Sequence, residues 1–185
     1  MRKKTIFILL LVLLMLLIGC DKKAPIKPST TVANAADVPS DESVPKEEST
    51  PKIVFTVQDA QGNTVSGADW ADYNLIMLNF WATWCPPCLA ELPDLQKLQE
   101  DYAERGLLLV GVLVDGTAED ALPYIGEHGL SYPIIAAAGD LKLLSSKMQY
   151  VPTTVFVTPS GFELREEVGS RSYADWAEIV EELLP

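Results

Sequence analysis

The chain has 185 residues, 48% of them hydrophobic, and a formal net charge of −12 at pH 7. This length suggests one domain with appendages. The strong acidity argues against nucleic acid or anionic lipid headgroups as partners, because both are bound through basic patches.

The first predicted feature is an export signal at the N-terminus. Three basic residues precede an apolar run over residues 6–18, and a glycine follows the run. A positive segment, an apolar segment and a small residue before a cleavage point are typical of a secretory signal peptide. The run is shorter than the roughly 20 apolar residues that a membrane-spanning helix needs. We therefore expect residues 1–19 to be removed.

The signal ends in Leu17-Ile18-Gly19-Cys20, which resembles the lipobox of bacterial lipoproteins. There the cysteine is acylated and becomes the mature N-terminus, so the resemblance implies an extracytoplasmic protein that is anchored to the cell membrane through Cys20. Two or three acyl chains anchor a protein stably, since each buried methylene contributes about 0.8 kcal/mol. The alternative is an uncleaved signal anchor in which Cys20 has no role.

Residues 20–52 are predicted to form a disordered linker that carries the acylated cysteine. Proline recurs there among Ser, Thr, Ala, Lys and Glu, with almost no large apolar residue. Such a segment cannot bury enough surface to offset the entropy that ordering costs. A flexible coil of this length has ends on the order of 30 Å apart, which would let a domain over residues 53–185 reach membrane or soluble partners.

The segment 53–185 alternates strand and helix patterns. The run 75–80 is almost continuously apolar, as in strands buried on both faces, and 86–105 has apolar residues at helical spacing. Strands that alternate with helices before a closing hairpin and helix predict an α/β domain with helices on both faces of a mixed sheet. The predicted strands are 53–58, 63–65, 75–80, 107–114, 132–136, 153–158 and 162–168, and the predicted helices are 86–105, 120–128, 141–148 and one that begins at Ser172.

Cys85-Pro86-Pro87-Cys88 opens the predicted helix 86–105. Proline suits the first helical position, so Cys85 should lie at the helix N-terminus and be exposed, while Cys88 is shielded almost one turn further in. The helix terminus favours a thiolate by up to about 2 kcal/mol, which lowers the pKa of Cys85 and makes it reactive. Two such thiols can close into a disulfide and open again in exchange with another protein.

The CxxC pair favours catalysis over stapling, because closing so short a loop removes little chain entropy. Neither intervening residue is His, so one thiolate stabiliser is missing, and we expect a reductant or a donor of intermediate potential. The alternatives are an inert disulfide and half a zinc site. Zinc needs two further ligands, and His128 is the single histidine of the chain. We expect no metal and no cofactor.

Residues 79–88 read Asn-Phe-Trp-Ala-Thr-Trp-Cys-Pro-Pro-Cys, and residues 151–154 read Val-Pro-Thr-Thr. These segments resemble the active-site block and the cis-proline loop of the thioredoxin superfamily, and within it the membrane-anchored thioredoxins of the TlpA/ResA type. The resemblance covers residues 53–185. It implies a thioredoxin-like α/β fold with an N-terminal β-hairpin, and an extra helix and strand inserted over residues 117–140.

The resemblance also implies roles for individual residues. Cys85 would be the attacking thiol and Cys88 the resolving thiol. The loop at Val151 and Pro152, with a cis peptide bond before the proline, would lie against the disulfide and dock an extended client backbone. The remaining client-binding residues would be Trp84, Pro86 and Pro87.

Glu91 is expected to serve the cysteine pair as a third catalytic residue. It lies three residues after Cys88, on the same side of the helix. Plain thioredoxin carries a buried Asp at the position of Asn79, whose amide cannot shuttle a proton, and the resemblance implies that Glu91 tunes the cysteines. Partial desolvation would raise the pKa of this carboxyl and let it take the proton of Cys88. The alternative is a solvated glutamate without such a role.

The resemblance implies a thiol–disulfide oxidoreductase that reduces disulfides in exported proteins, with electrons from a membrane thiol reductant of the CcdA or DsbD type. The implied clients are apocytochrome c before haem attachment, or another envelope reductase such as a methionine sulfoxide reductase. We expect a monomer that binds no nucleic acid. A disulfide-forming oxidant and a non-catalytic copper-binding lipoprotein stay open. A peroxidase is disfavoured, because such sites expect Thr three residues before the cysteine and Thr83 lies two before Cys85.

Overall fold

The computed structural model describes residues 53–185, so the predictions for the signal peptide, Cys20 and the linker lie outside the described residues. The strands are β1 (Thr56–Gln58), β2 (Thr64–Ser66), β3 (Leu75–Trp81), β4 (Leu107–Leu113), β5 (Ile134–Ala136), β6 (Thr153–Val157) and β7 (Glu163–Val168). The α-helices are α1 (Pro86–Tyr102), α2 (Leu122–His128), α3 (Gly139–Ser145) and α4 (Tyr173–Leu183). Short 3₁₀ helices cover Gly67–Asp72, Ala103–Arg105 and Ala118–Ala121.

The central sheet has five strands in the order β5-β4-β3-β6-β7. β3, β4 and β5 run parallel, whereas β6 is antiparallel to both β3 and β7. The parallel neighbours are connected through α1 and α2, as parallel strands require crossover connections. β1 and β2 form a separate antiparallel hairpin. The predicted mixed sheet and N-terminal hairpin are both confirmed.

The core has two parts, one on each face of the sheet. All seven residues of β3 and of β4 are buried, which explains their almost continuously apolar sequences. Met77 and Trp81 of β3 pack with residues of α1 and α4 on one face. Ile76 and Phe80 pack on the other face with the N-terminal hairpin and with Leu141 of α3. Helices therefore cover both faces, as predicted.

Asn79 interrupts the apolar sequence of β3. Successive residues of a strand point to opposite faces, so Asn79 shares the α1 face with Met77 and Trp81. Its neighbours in the adjacent strands are Gly111 of β4 and Thr154 of β6. A polar position is thereby built into the sheet directly beneath the helix that begins with the cysteine pair.

Several boundaries differ from the sequence prediction. The predicted strand 53–58 begins only at Thr56, because Val54 exchanges backbone and side-chain hydrogen bonds with Asp140 at the start of α3 instead of pairing with β2. The predicted helix 86–105 is α-helical to Tyr102 and then tightens into a 3₁₀ turn. None of the helices within residues 53–185 is long and apolar enough to cross a membrane.

Candidate functional site

The cysteines lie where β3 gives way to α1. After β3 ends, the backbone N–H of Cys85 donates to the carbonyl of Ala82 at 3.1 Å, which turns the chain into the helix. Cys85 is the N-cap residue, in an extended conformation, and Pro86 occupies the first helical position. The predicted placement at the helix N-terminus is confirmed. Cys85 and Cys88 form a disulfide, with their Cα atoms 5.3 Å apart.

The sulfur of Cys85 already has a hydrogen-bond donor. The backbone N–H of Cys88 donates to Cys85 Sγ at 3.3 Å. This N–H belongs to the first turn of α1, where backbone donors have no partner within the helix. When the disulfide opens, the same donor and the positive end of the helix dipole are in place to stabilise negative charge on the sulfur.

The expected exposure of Cys85 is wrong for the disulfide form. Cys85 is only 3% exposed and Cys88 is fully buried, with the two sulfurs bonded to each other and the Val151 carbonyl against the outer one. The sequence neighbours of Cys85 are exposed, with Trp84 at 65% and both Pro86 and Pro87 accessible. The disulfide therefore lies just beneath a surface that these three residues form.

The proline loop lies against the disulfide. The peptide bond between Val151 and Pro152 is cis, as the resemblance implied. The carbonyl oxygen of Val151 is 3.6 Å from Cys85 Sγ. The disulfide sulfur has no hydrogen to donate, so this is a contact rather than a hydrogen bond. The carbonyl of Pro152 accepts from the backbone N–H of Gly169 at 2.8 Å.

A groove of about 390 Å³ adjoins the loop and includes two of the predicted client-binding residues, Trp84 and Val151. Tyr150, 67% exposed, and Met148 also line it, and sequence reasoning missed both of them. The sequence predicted a helix over 141–148 that included Met148, whereas α3 ends at Ser145, and it assigned no role to Tyr150. Trp84 is oriented by a hydrogen bond from its indole Nε1 to Asp115 Oδ2 at 2.6 Å.

Glu91 is only 3% exposed and is held at both carboxylate oxygens. Oε1 accepts a hydrogen bond from Asn79 Nδ2 at 3.0 Å, and Oε2 accepts from the backbone N–H of Arg171 at 3.3 Å. The Asn79 amide also donates to Thr154 Oγ1 at 3.1 Å. The side chain of Glu91 thus points from α1 toward the sheet and meets the polar position at Asn79. The alternative of a solvated glutamate is wrong.

Burial raises the pKa of Glu91 to about 7 from an ordinary value of about 4.5. Desolvation is the dominant cause, since it disfavours the charged form. Hydrogen bonds from Asn79 and Arg171, the nearby Trp176 indole and the Arg171 charge each oppose this rise. The predicted elevation of the pKa is confirmed.

Two further polar groups lie on the same face of the sheet. The indole Nε1 of Trp81 and the hydroxyl of Tyr132 are buried and have no hydrogen-bond partner among the described residues. Both side chains pack where Gly111 lacks a Cβ, and a Cβ there would lie 3.1 Å from Trp81 Nε1. Burial and the charge of Glu91 both raise the pKa of Tyr132, which keeps its hydroxyl protonated.

Residues 53–185 contain no group of three or more His, Cys, Asp or Glu side chains that could hold a metal ion. Cys20, the third cysteine, lies outside that range. The sulfur, carboxyl and backbone groups of the site come from the start of α1, the proline loop and the loop after β7.

The sequence model of the AhpC/TSA family matches residues 49–162, which is more than half of the chain. The chain belongs to the AhpC/TSA family. A structural relative supports the thioredoxin-like fold: a thiol:disulfide interchange protein of the thioredoxin family from Chlorobium tepidum TLS superposes with a TM-score of 0.64 at 30% identity, covering 74% of this chain and 97% of that one.

Two curated relatives are named thiol-disulfide oxidoreductase ResA. The protein from Oceanobacillus iheyensis is 44% identical over 94 residues, which is 50% of this chain but only 48% of that relative. The protein from Halalkalibacterium halodurans is 26% identical over 131 residues, covering 71% of this chain and 74% of the relative. The resemblance to ResA-type thioredoxins is confirmed, and the predicted enzyme class is the one that both relatives carry in their names.

The raised pKa of Glu91 predicts a pH dependence of stability. Between about pH 4.5 and 7 the folded state keeps a proton that the unfolded state has released, so stability falls as the pH rises through this window. The loss amounts to about 3 kcal/mol. The glutamine of Glu91→Gln cannot titrate. The free energy of unfolding of this variant, measured with urea on the oxidised protein from pH 4 to 8, should therefore lack this fall.

Glu178→Gln, at an exposed position of α4, is the control and should keep the wild-type pH dependence. If Glu91→Gln keeps it in full, a different group binds the proton.

Proposed function

We propose that this chain is an extracytoplasmic thiol–disulfide oxidoreductase that reduces disulfides in exported proteins. The observation that carries the proposal is the Cys85–Cys88 disulfide at a helix N-terminus, with the proline loop against its outer sulfur. A pair that can both close and reopen at an accessible rim is suited to exchange rather than to stapling.

In the proposed reaction the reduced protein acts first through Cys85. Its thiolate attacks one sulfur of the client disulfide, which forms a mixed disulfide and releases the other client sulfur as a thiolate. Cys88, after giving up its proton, attacks Cys85 Sγ and releases the second client thiolate. Two electrons pass to the client, the client sulfurs take up protons, and the Cys85–Cys88 disulfide remains.

Glu91 is proposed to accept the proton of Cys88 in the resolving step. A general base works best when its pKa lies near the operating pH, and the pKa of Glu91 is about 7. Glu91 lies one helical turn after Cys88 in α1, and both side chains are buried. A buried base suits a buried thiol, because water cannot reach that proton readily.

Trapping with Cys88→Ser tests the proposal directly. This variant keeps the attacking thiol but cannot resolve the mixed disulfide, so clients should accumulate as covalent adducts that non-reducing gels separate and mass spectrometry identifies. Cys85→Ser is the control and should trap nothing. Wild-type protein should reduce insulin disulfides. Absence of adducts together with absence of insulin reduction would refute the oxidoreductase.

The groove beside the disulfide is proposed to hold the client segment around its cysteine. Trp84, Met148 and Tyr150 give it apolar walls, and Val151 lies both in the groove and against Cys85 Sγ. An extended segment whose cysteine reaches Cys85 would place its neighbouring side chains there. Pro86 and Pro87 would border the same segment from the start of α1.

Removing one aromatic wall should therefore weaken protein clients selectively. Tyr150→Ser should lower kcat/KM for insulin by roughly tenfold, as loss of an aromatic contact at an interface does. Exchange with a small disulfide such as oxidised dithiothreitol should not change. Phe162→Ser removes an exposed aromatic ring at the far end of the β6–β7 hairpin and should leave both rates unchanged. Equal losses for insulin and dithiothreitol would argue against the groove.

The proposed location is the outer side of the cell membrane, through a lipid on Cys20, with residues 1–19 as signal and 20–52 as linker. The proposed electron source is a membrane thiol reductant of the CcdA or DsbD type. The proposed clients are apocytochrome c or another envelope reductase.

Cys20→Ala tests the anchor. In a bacterial host grown with a labelled fatty acid, the variant should lose both the label and the membrane association of the wild type. Cys88→Ser is the matched control and should keep both. A labelled Cys20→Ala protein would contradict acylation at this residue.

A further inference from the structure

The loop between β7 and α4 contacts both the proline loop and Glu91. At its start the backbone N–H of Gly169 donates to the carbonyl of Pro152 at 2.8 Å. Two residues later the backbone N–H of Arg171 donates to Glu91 Oε2 at 3.3 Å. A backbone N–H has no side chain to aim it, so its direction depends on what holds the loop in place.

The side chain of Arg171 holds that loop. Its guanidinium pairs with Glu167 of β7, and Nη1 donates to the carbonyl of Gly169 at 3.1 Å. The guanidinium also lies 5.2 Å over the ring of Trp176 in α4. The Arg171 side chain is 25% exposed and that of Glu167 only 14%, so solvent screens this pair less than a pair on an open surface.

Glu167 itself is fixed by the sheet. It pairs with Thr154 of β6, which in turn pairs with Asn79 of β3. Paired residues share a face of the sheet, so Glu167, Thr154 and Asn79 form one row beneath α1. Both donors to the Glu91 carboxylate are therefore connected to this row of residues. Asn79 belongs to the row itself, and Arg171 is held to it through its ion pair with Glu167.

We propose that Arg171 is a positioning residue for Glu91: its ion pair with Glu167 holds the Arg171 N–H against the carboxylate and so sets the pH range in which Glu91 accepts a proton. This inference rests on the proposed role of Glu91 as the base of the resolving step. Nothing in the local sequence around Arg171 predicts this positioning role, since the contact between Arg171 and Glu91 spans 80 positions.

The groups that act on Glu91 come from every element around it. Asn79 of β3, the Arg171 backbone and the Trp176 indole of α4 favour the carboxylate. Tyr132, before β5, stays neutral, and on α1 Cys88 titrates only after the disulfide opens. Arg171 is the one permanently charged residue of this set. Its loss removes a positive charge and releases the N–H, and both changes favour protonated Glu91.

The test is Arg171→Met, which keeps an unbranched stem beside Trp176 but removes the charge. Carbon-13 NMR of the Glu91 side-chain carboxyl in the oxidised protein follows the titration without interference from the cysteines. We expect the midpoint to move to higher pH, with roughly threefold tighter proton binding or more. Arg171→Lys should restore part of the difference. Arg171→Gln is the second neutral variant, with the same expected result, should Arg171→Met not fold.

Arg165→Met is the matched control. Arg165 also pairs with Glu167, and with Glu182, but it forms no hydrogen bond to Glu91. The Glu91 midpoint should stay at the wild-type value. An unchanged midpoint in the neutral Arg171 variants, or an equal shift in Arg165→Met, would overturn the positioning role.

The pH profile of insulin reduction separates this inference from the function on which it rests. If the midpoint of Glu91 moves and the profile moves with it, both stand. If the midpoint moves while the profile stays in place, the positioning role of Arg171 stands and Glu91 is not the base. If wild-type protein fails to reduce insulin and Cys88→Ser traps no client, the proposed function fails, and the NMR titration still decides the role of Arg171.

Discussion

The hydrogen bonds to the buried carboxyl of Glu91 are the interaction around which this site is arranged. A carboxylate with 3% exposure loses most of its hydration. Few groups replace it: one amide and one backbone N–H donate to it, and the Trp176 indole favours the charged form without a hydrogen bond to it. That replacement is incomplete, so the pKa rises to about 7 rather than returning to its ordinary value. The carboxyl therefore changes between its protonated and ionised forms near neutral pH, which is the range in which a general base works best.

This arrangement costs stability. Besides the carboxyl, Trp81, Tyr132 and Trp176 each bury a polar atom that has no partner within residues 53–185, and all three belong to the part of the core that contains the cysteines. An unsatisfied buried donor costs about 1–3 kcal/mol. On the opposite face Trp70 is the one such group among the described residues. Buried polar atoms without a hydrogen-bond partner are thus most frequent on the face that carries the redox pair, and such departures are common at functional sites.

The sequence predicted the parts of this protein that depend on local pattern. Apolar runs identified β3 and β4, Pro86 identified the helix start, and three-residue spacing placed Glu91 on the same side of the helix as Cys88. It could not predict the second donor to Glu91, because Arg171 reaches it only once the β6–β7 hairpin has brought the chain back. The predicted exposure of Cys85 was wrong for a similar reason: helix position cannot show that Val151, 66 positions away, contacts the outer sulfur.

The proposed docking loop and the proposed proton acceptor are both bound by one short segment of backbone. The carbonyl of Pro152 and the carboxylate of Glu91 are bound by Gly169 and Arg171, and the residue between these two leaves little chain to absorb a displacement. Gly169 has a φ of 91°, a left-handed conformation that a side chain would strain, so the turn depends on glycine at this position. A client strand that shifts the proline loop must therefore either move Arg171 with it or stretch one of these two hydrogen bonds. In the first case the donor geometry at Glu91 changes, and the proposed client binding would then alter the affinity of Glu91 for a proton.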